Sequence, residues 1–191
     1  MAIPIPHRSS GFALGPADAD VKIDVFIDLQ CPYSKKVWPN LISLLNHYAG
    51  SAVNLTVHII ALSNHRQAWD VSLGLFSLAK NDAKKAFDFI TYLYANQEQY
   101  FNGPFLYKTQ NDLHNLVADF AEDFDKIDRE QFLSEMKGYD VYINGRTHIR
   151  YAATKSVWAT PTLFINNADD VPVNHESDLD AWRAVIDPLL E

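Results

Sequence analysis

The 191-residue sequence contains one cysteine, Cys31, and no second thiol to pair with it. A disulfide within the chain is thereby excluded, and with it any chemistry that closes and reopens a dithiol of its own. Positive charge is also short. Sixteen Lys and Arg against 24 Asp and Glu leave a formal net charge of −8, which repels phosphate backbones and anionic lipid, so neither nucleic acid nor a membrane surface is expected as a partner. Long apolar runs are missing too. No stretch approaches the roughly 18 apolar residues of a membrane span, and "MAIPIPHRSSG" at the start has no continuous apolar core of a leader. Together with the lone thiol, this makes the cytosol the expected location. In a reducing compartment such a thiol can still form a mixed disulfide with a partner protein or with glutathione. The cluster Asp169, Asp170, His175, Glu176, Asp178 and Asp180 lacks zinc or EF-hand spacing and reads as a solvated acidic loop, so no metal is expected and no cofactor is required.

What is present is ample apolar material, 48% of residues, arranged with changing periodicity. Residues 1–20 read as a surface lead-in. "VKIDVFIDL", Val21 to Leu29, reads as a buried strand interrupted by Asp24 and Asp28. A helix follows, with Pro32 in its first turn, Val37, Leu41, Leu44, Leu45 and Tyr48 at helical spacing, and Gly50 beyond its end. "VNLTVHIIAL", Val53 to Leu62, reads as a second strand covered on both faces. From residue 65 to 156 the patterns become helical: "AWDVSLGLFSLAK", "AFDFITYLYANQ", "DLHNLVADFAEDF" and "REQFLSEMK". "TPTLFINN", a short strand near "VPVN" and a helix from Asp178 to Leu190 close the chain. The order is β-α-β, helices, β-β-α, an α/β fold in which residues 1–64 and 157–191 share one sheet and 65–156 form an all-helical insertion.

Two motifs bear on chemistry. "GPADADVKIDVFIDLQCPYS", Gly15 to Ser34, places Cys-Pro at the mouth of a helix behind an apolar strand, and "ATPTLFIN", Ala159 to Asn166, places Thr-Pro before another strand. With the element order, these resemble the thioredoxin superfamily, and more closely its DsbA-like branch with a helical insertion. "DLQCPYS" also has some similarity to the Ser-Pro-Tyr-Ser stretch of kappa-class glutathione transferases and hydroxychromene-carboxylate isomerases. The resemblance implies that Pro161 is a cis-proline facing Cys31, that Pro39 kinks the helix, and that Thr160 pairs with bound peptide or glutathione. Two departures matter. Ser34 stands where DsbA-type proteins carry the resolving cysteine, and Val25 stands where they often carry a buried acid.

A free cysteine with pKa near 8.5 is only about 3% thiolate at pH 7, and the unsatisfied N–H groups of a helix N-terminus favour the anion. Cys31 is therefore the candidate nucleophile. Ser34, one turn on, is a candidate hydroxyl donor to its sulfur, but a serine cannot attack a disulfide. Release of a mixed disulfide must come from an external thiol such as glutathione, from a substrate cysteine, or not occur at all. Pro32, Tyr33, Thr160 and Pro161 are the candidate groove residues, and Tyr33 either lines the groove or covers the site. Lys35 and Lys36 read as a solvated helix face, and His65, at a strand end that converges on the site, reads either as a neighbour of the site or, more readily, as a capping or surface residue. "NQEQYFNGPFLYKT", Asn96 to Thr109, lacks a period and reads as a rim loop, a dimer contact or an ordinary connection. Three functions are open: a monothiol thiol-disulfide oxidoreductase or isomerase, a glutathione-dependent transferase or isomerase, and a redox-silent binding module.

Overall fold

A computed structural model describes residues 5–6, 9–48, 52–169 and 171–191. Its sheet has four strands in the order β1-β3-β2-β4: β1 (Phe12–Leu14), β2 (Val21–Ile27), β3 (Val53–Ile59) and β4 (Thr162–Ile165). β2 runs parallel to β3 and antiparallel to β4. Its odd-numbered residues Ile23, Val25 and Ile27 enter the main core, while Phe26 joins a smaller cluster with Ile60, Ala152 and Phe164 on the other face. Val25 thus packs as a core residue.

The lead-in is not all surface. Phe12–Leu14 pairs antiparallel with β3, Phe12 opposite Val57, and Phe12 is buried. Three residues are too few for alternation to be visible in sequence. The flanking glycines permit the pairing: both have positive φ, and a Cβ on Gly15 would sit 2.2 Å from the Val53 carbonyl oxygen.

Strands β2 and β3 stop earlier than their apolar runs. β2 ends at Ile27 because the Asp28 N–H turns to Ser34 Oγ, 3.3 Å away, and leaves the ladder. Ile60 still donates to the Ile27 carbonyl, after which β3 has no strand beside it to pair with. The strand expected near "VPVN" is absent. Asn166 and Asn167 turn the chain in the left-handed region, a single bridge joins Ile165 and Ala168, and Pro172 has no N–H to offer a ladder. The chain then passes over helix α1 (Pro32–His47), where Asn40 donates to the Ser177 carbonyl at 2.8 Å and Lys36 pairs with Glu176.

Helix α1 buries Ser34, Val37, Trp38, Leu41 and Leu44 along one face and carries Pro39 inside it. Gly50, expected to close it, lies outside the described residues, as does Asp170 of the acidic cluster. Between β3 and β4 come α2 (Ala68–Ala79), α3 (Ala83–Ala95), a 3-10 turn at Gln97–Tyr100, α4 (Gln110–Asp125), α5 (Arg129–Met136) and α6 (Tyr139–Thr154). Every residue of α2 except Trp69 is buried, as expected of a helix apolar on all sides, and Trp38 of α1 donates to Thr91 of α3 at 2.8 Å. α6 has no strong apolar stripe because its buried face is small or polar: Gly145, Thr147, His148 and Ala152. His148 Nδ1 instead accepts the Ile59 N–H at 3.0 Å and ties the helix to β3. The final helix α7 (Leu179–Ile186) starts at Asp178, whose side chain accepts the Ala181 N–H; Pro188 helps turn the last residues into a 3-10 turn, short of the expected end at Leu190.

Candidate active site

The site begins at the turn between β2 and α1. Asp28 is fully buried, and its carboxylate accepts the N–H groups of Gln30 and Leu62, each at 2.7 Å. His65 Nδ1 lies 3.0 Å from the second carboxylate oxygen. Burial pushes the Asp28 carboxyl above the usual carboxylate range, and the backbone donors and His65 oppose the rise only in part. The Asp28 carbonyl accepts the Cys31 N–H at 3.0 Å and the Tyr94 hydroxyl at 3.3 Å.

Side chains from α3 and the following 3-10 turn take the next carbonyls. Leu29 O accepts from Gln97 Nε2 and the Tyr100 hydroxyl, both at 3.0 Å, and Cys31 O accepts from Gln97 Nε2 at 3.0 Å and the Lys35 N–H at 3.1 Å. The Gln30 side chain donates to Gln67 and Asn102 and accepts the Gln67 N–H. Buried backbone acceptors need partners, and this turn draws them from residues more than sixty positions away.

Cys31 is the N-cap residue of α1, with Pro32 at the first helical position. Its side chain makes no cap bond to the helix N–H groups. The thiol donates instead to the Thr160 carbonyl at 3.3 Å and is 3% exposed. The Thr160–Pro161 peptide is cis, so Cys31, Thr160 and Pro161 meet across 129 residues of sequence. The Thr160 hydroxyl is buried without a hydrogen-bond partner. Trp158, two residues before Thr160, is 85% exposed.

Ser34 is placed differently from the expectation that it donates to the thiol. It is fully buried, its oxygen accepts the Asp28 N–H, and its hydroxyl interacts with Tyr94, so its capacity is used in holding the turn. Burial pushes Tyr94 well above the ordinary phenol value, which keeps it a neutral donor. Tyr33 is exposed, with its ring edge-on to His175 at 4.8 Å; Pro32 is exposed at the helix start. Lys36 is paired with Glu176 on the surface. His65, for which the sequence offers a place near the site beside the favoured capping or surface reading, sits against Asp28.

Sequence reasoning alone passes over Asp28, Tyr94, Gln97 and Tyr100. Asp28 reads as an interruption in a strand, and Tyr94 as one more aromatic at helical spacing. Gln97 and Tyr100 lie in the aperiodic "NQEQYFNGPFLYKT", whose lack of period is the only signal. Among the described residues no group of three or more His, Cys, Asp or Glu could hold a metal ion. A cavity of about 1010 Å³ lined by Phe76, Ser77 and His148 includes neither Cys31 nor Pro161 and is separate from this constellation.

The arrangement presents a thiol at a helix N-terminus, opposite the backbone that precedes a cis-proline.

A family model described as thioredoxin matches residues 8–188. No curated protein matches the sequence. Among solved structures, one provisionally assigned as a protein-disulfide isomerase from Pseudomonas syringae is 17% identical, with a TM-score of 0.78 over 92% of this chain and 97% of that one. Oxidised BdbD from Bacillus subtilis is 20% identical, with a TM-score of 0.73 over 94% and 92%. A double cysteine-to-alanine variant of alpha-DsbA1 from Wolbachia pipientis is 16% identical, with a TM-score of 0.73 over 98% and 92%.

These comparisons overturn the cytosolic expectation, since DsbA-like proteins are typically periplasmic. A lone cysteine forms no internal disulfide in any compartment, so it carries no information on location. No helix among the described residues is long and apolar enough to cross a membrane. With the thiol at the α1 N-terminus, the cis Thr160–Pro161 bond opposite it and the family match over nearly the whole chain, the protein belongs to the thioredoxin family, with a fold similar to that of DsbA-like structures.

Proposed function

We propose that the protein is a monothiol catalyst of thiol-disulfide exchange, acting on peptide or protein thiols and disulfides through Cys31. The observation that carries this reading is the 3.3 Å contact between Cys31 Sγ and the carbonyl before cis-Pro161, in a chain with no other cysteine. The names of the similar structures, a disulfide isomerase and DsbA-type proteins, support the same class.

In the first step the Cys31 thiolate attacks one sulfur of a substrate disulfide, forming a mixed disulfide and releasing the other sulfur as thiolate. Ser34 has no sulfur with which to break that bond. A second thiol, from glutathione or from the substrate itself, attacks the mixed disulfide and restores Cys31. Net shuffling suits such a site better than net oxidation. Backbone groups of Thr160, with Pro161, Tyr33 and Pro32 around them, are the proposed binding surface for the extended substrate. Replacing Cys31 by Ser is expected to abolish exchange with a glutathionylated peptide, read by mass spectrometry and by coupled glutathione release; unchanged turnover would refute the assignment.

One observation favours a second reading. The thiol is 3% exposed and its hydrogen is engaged by Thr160, which suits a site that binds glutathione or a peptide without covalent change. That reading expects calorimetric binding of reduced glutathione or an unreactive peptide to survive the Cys31→Ser substitution.

A further inference from the structure

We propose that the sheet face carrying Phe26 holds a second catalytic centre, in which Ser10, activated by His58 and Asp24, takes the acyl group of a small, uncharged, apolar ester and passes it to water. This centre uses neither Cys31 nor Pro161 and is independent of the exchange reaction.

The sheet places the base. Asp24 and Phe26 of β2 share a face with Thr56 and His58 of β3, with Asp24 opposite Thr56 and Phe26 opposite His58. His58 is 1% exposed, its ring stacked on Phe26 at 4.6 Å and 4.7 Å from the ring of Tyr151. Its Nε2 is 2.8 Å from Asp24 Oδ1, and its Nδ1 is 3.4 Å from Ser10 Oγ. A carboxylate only accepts, so Nε2–H donates to Asp24, and in the neutral ring Nδ1 keeps a lone pair for the Ser10 hydroxyl. Serine, imidazole and carboxylate therefore stand as nucleophile, base and orienter, with the two ring nitrogens exchanged relative to the serine-protease arrangement. An apolar side chain at position 58 could pack on Phe26 and Tyr151 without the desolvation that a buried imidazole and its carboxylate cost.

The lead-in brings the nucleophile to that base. A Cβ on Gly11 would sit 2.8 Å from His58 Cε1 and 2.4 Å from Thr56 Cγ2, and its φ is +99°, so the backbone next to Ser10 lies against the imidazole as only glycine allows. β1 begins at the next residue and fixes this approach by pairing Phe12 with Val57. Ser10 is half-buried and also lines the cavity of about 1010 Å³, a volume at the upper end of small-molecule sites. One residue thus meets both the buried base and the space for a ligand. Phe76, Val141 and Ile143 give that cavity apolar wall. Lys80 and Glu135, also on its wall, are paired with each other at 3.3 Å, and Asp140 disfavours an anion, so an apolar substrate without charge fits best.

In the reaction, Ser10 Oγ attacks the ester carbonyl carbon as its proton passes to His58 Nδ1, and the imidazolium formed is held by Asp24. Collapse breaks the bond between the carbonyl carbon and the alcohol oxygen. The alcohol leaves with the proton from Nδ1, and an acyl ester of Ser10 remains. Water attacks that ester and gives a proton to Nδ1. Ser10 Oγ then departs, takes the proton back, and the carboxylic acid is released. One ester and one water become one alcohol and one acid, and no electrons are transferred.

The test treats the full chain with an alkyl fluorophosphonate, which phosphonylates activated serine hydroxyls, and in parallel follows hydrolysis of p-nitrophenyl butyrate. Adducts of both reagents are mapped by mass spectrometry, because a thiolate also accepts acyl groups from activated esters. A phosphonyl adduct and a transient butyryl group are expected on Ser10, and kcat/KM for the ester should fall about a hundredfold in Ser10→Ala. Asp24→Asn keeps the side chain's size but reverses the hydrogen bond that orients His58, so kcat should fall by about tenfold or more with KM unchanged. A network that only ties the lead-in to the sheet would not produce that split. Circular dichroism and urea midpoints establish that each variant is folded. No phosphonyl adduct at Ser10, a butyryl group confined to Cys31, hydrolysis unchanged in Ser10→Ala, or a kcat indifferent to Asp24→Asn would overturn the proposal.

Discussion

The turn from Asp28 to Cys31 and the segment from Val157 to Thr162 meet at one sulfur and are built in opposite ways. In the turn, the Asp28, Leu29 and Cys31 carbonyls each receive two donors, and Tyr94, Gln97 and Tyr100 reach in from the helical segment to supply them. In the facing segment, Trp158 stands 85% exposed and the Thr160 hydroxyl is buried without a partner. One half is tied by hydrogen bonds around the thiol; the other leaves a buried hydroxyl without a partner. A nucleophile must be fixed within a fraction of an ångström, while a binding surface must leave its own groups unspent until the ligand supplies partners.

The contrast can be broken from either side. The largest effect is expected from Ser34→Cys, which places a second thiol in the held half. Intramolecular release reaches effective molarities of roughly 10⁵ M or more, so turnover should lose its dependence on added glutathione and the variant should oxidise a dithiol peptide. Stopped-flow exchange at varied glutathione checks this. Next comes Gln97→Ala. It removes a fully buried side chain and two donors to the turn, and should lower stability by about 3 kcal/mol in urea denaturation.

A smaller effect, readable as a slope, is expected from Asp28→Asn. Burial raises the pKa of this carboxyl above 3.8, so between that value and the raised one the native state binds the proton more tightly than the unfolded chain. Stability contributed by the protonated form is therefore lost as pH rises through this window, and the variant should lose that share of the slope in a pH series of urea midpoints. The smallest stability change belongs to Trp158→Ala in the open half. Stability should stay within about 0.5 kcal/mol, while exchange with an apolar peptide slows several-fold. An equal loss of stability in Gln97→Ala and Trp158→Ala would erase the distinction between the halves.

Much of this site is legible in sequence because its signals are local. Cys-Pro after an apolar strand marks a helix N-terminus, and the resemblance of Thr-Pro before another strand to the thioredoxin superfamily implies the cis bond that faces it. That Ser34 cannot resolve a disulfide follows from its side chain alone, but the direction of its hydroxyl does not, since the competing partners Asp28 and Tyr94 depend on how the turn closes. The strand expected at "VPVN" fails for a similar reason. Its apolar residues fit a strand, yet Val173 is buried in the main core without pairing, while Asn166 and Asn167 turn the chain away from the sheet.

Sequence by itself determined the central β-α-β unit, the helical run that follows it, the single thiol and the absence of a second thiol to pair with it. These follow from periodicity, from the backbone restrictions of proline, and from counting thiols. Tertiary structure decided which side chains answer the buried polar groups of the turn and which are left unanswered. Partners such as Asp28 and Leu62, Leu29 and Tyr100, or Cys31 and Thr160 are 34, 71 and 129 residues apart, and no local pattern encodes hydrogen bonds formed only when a helical segment folds back over its own active site.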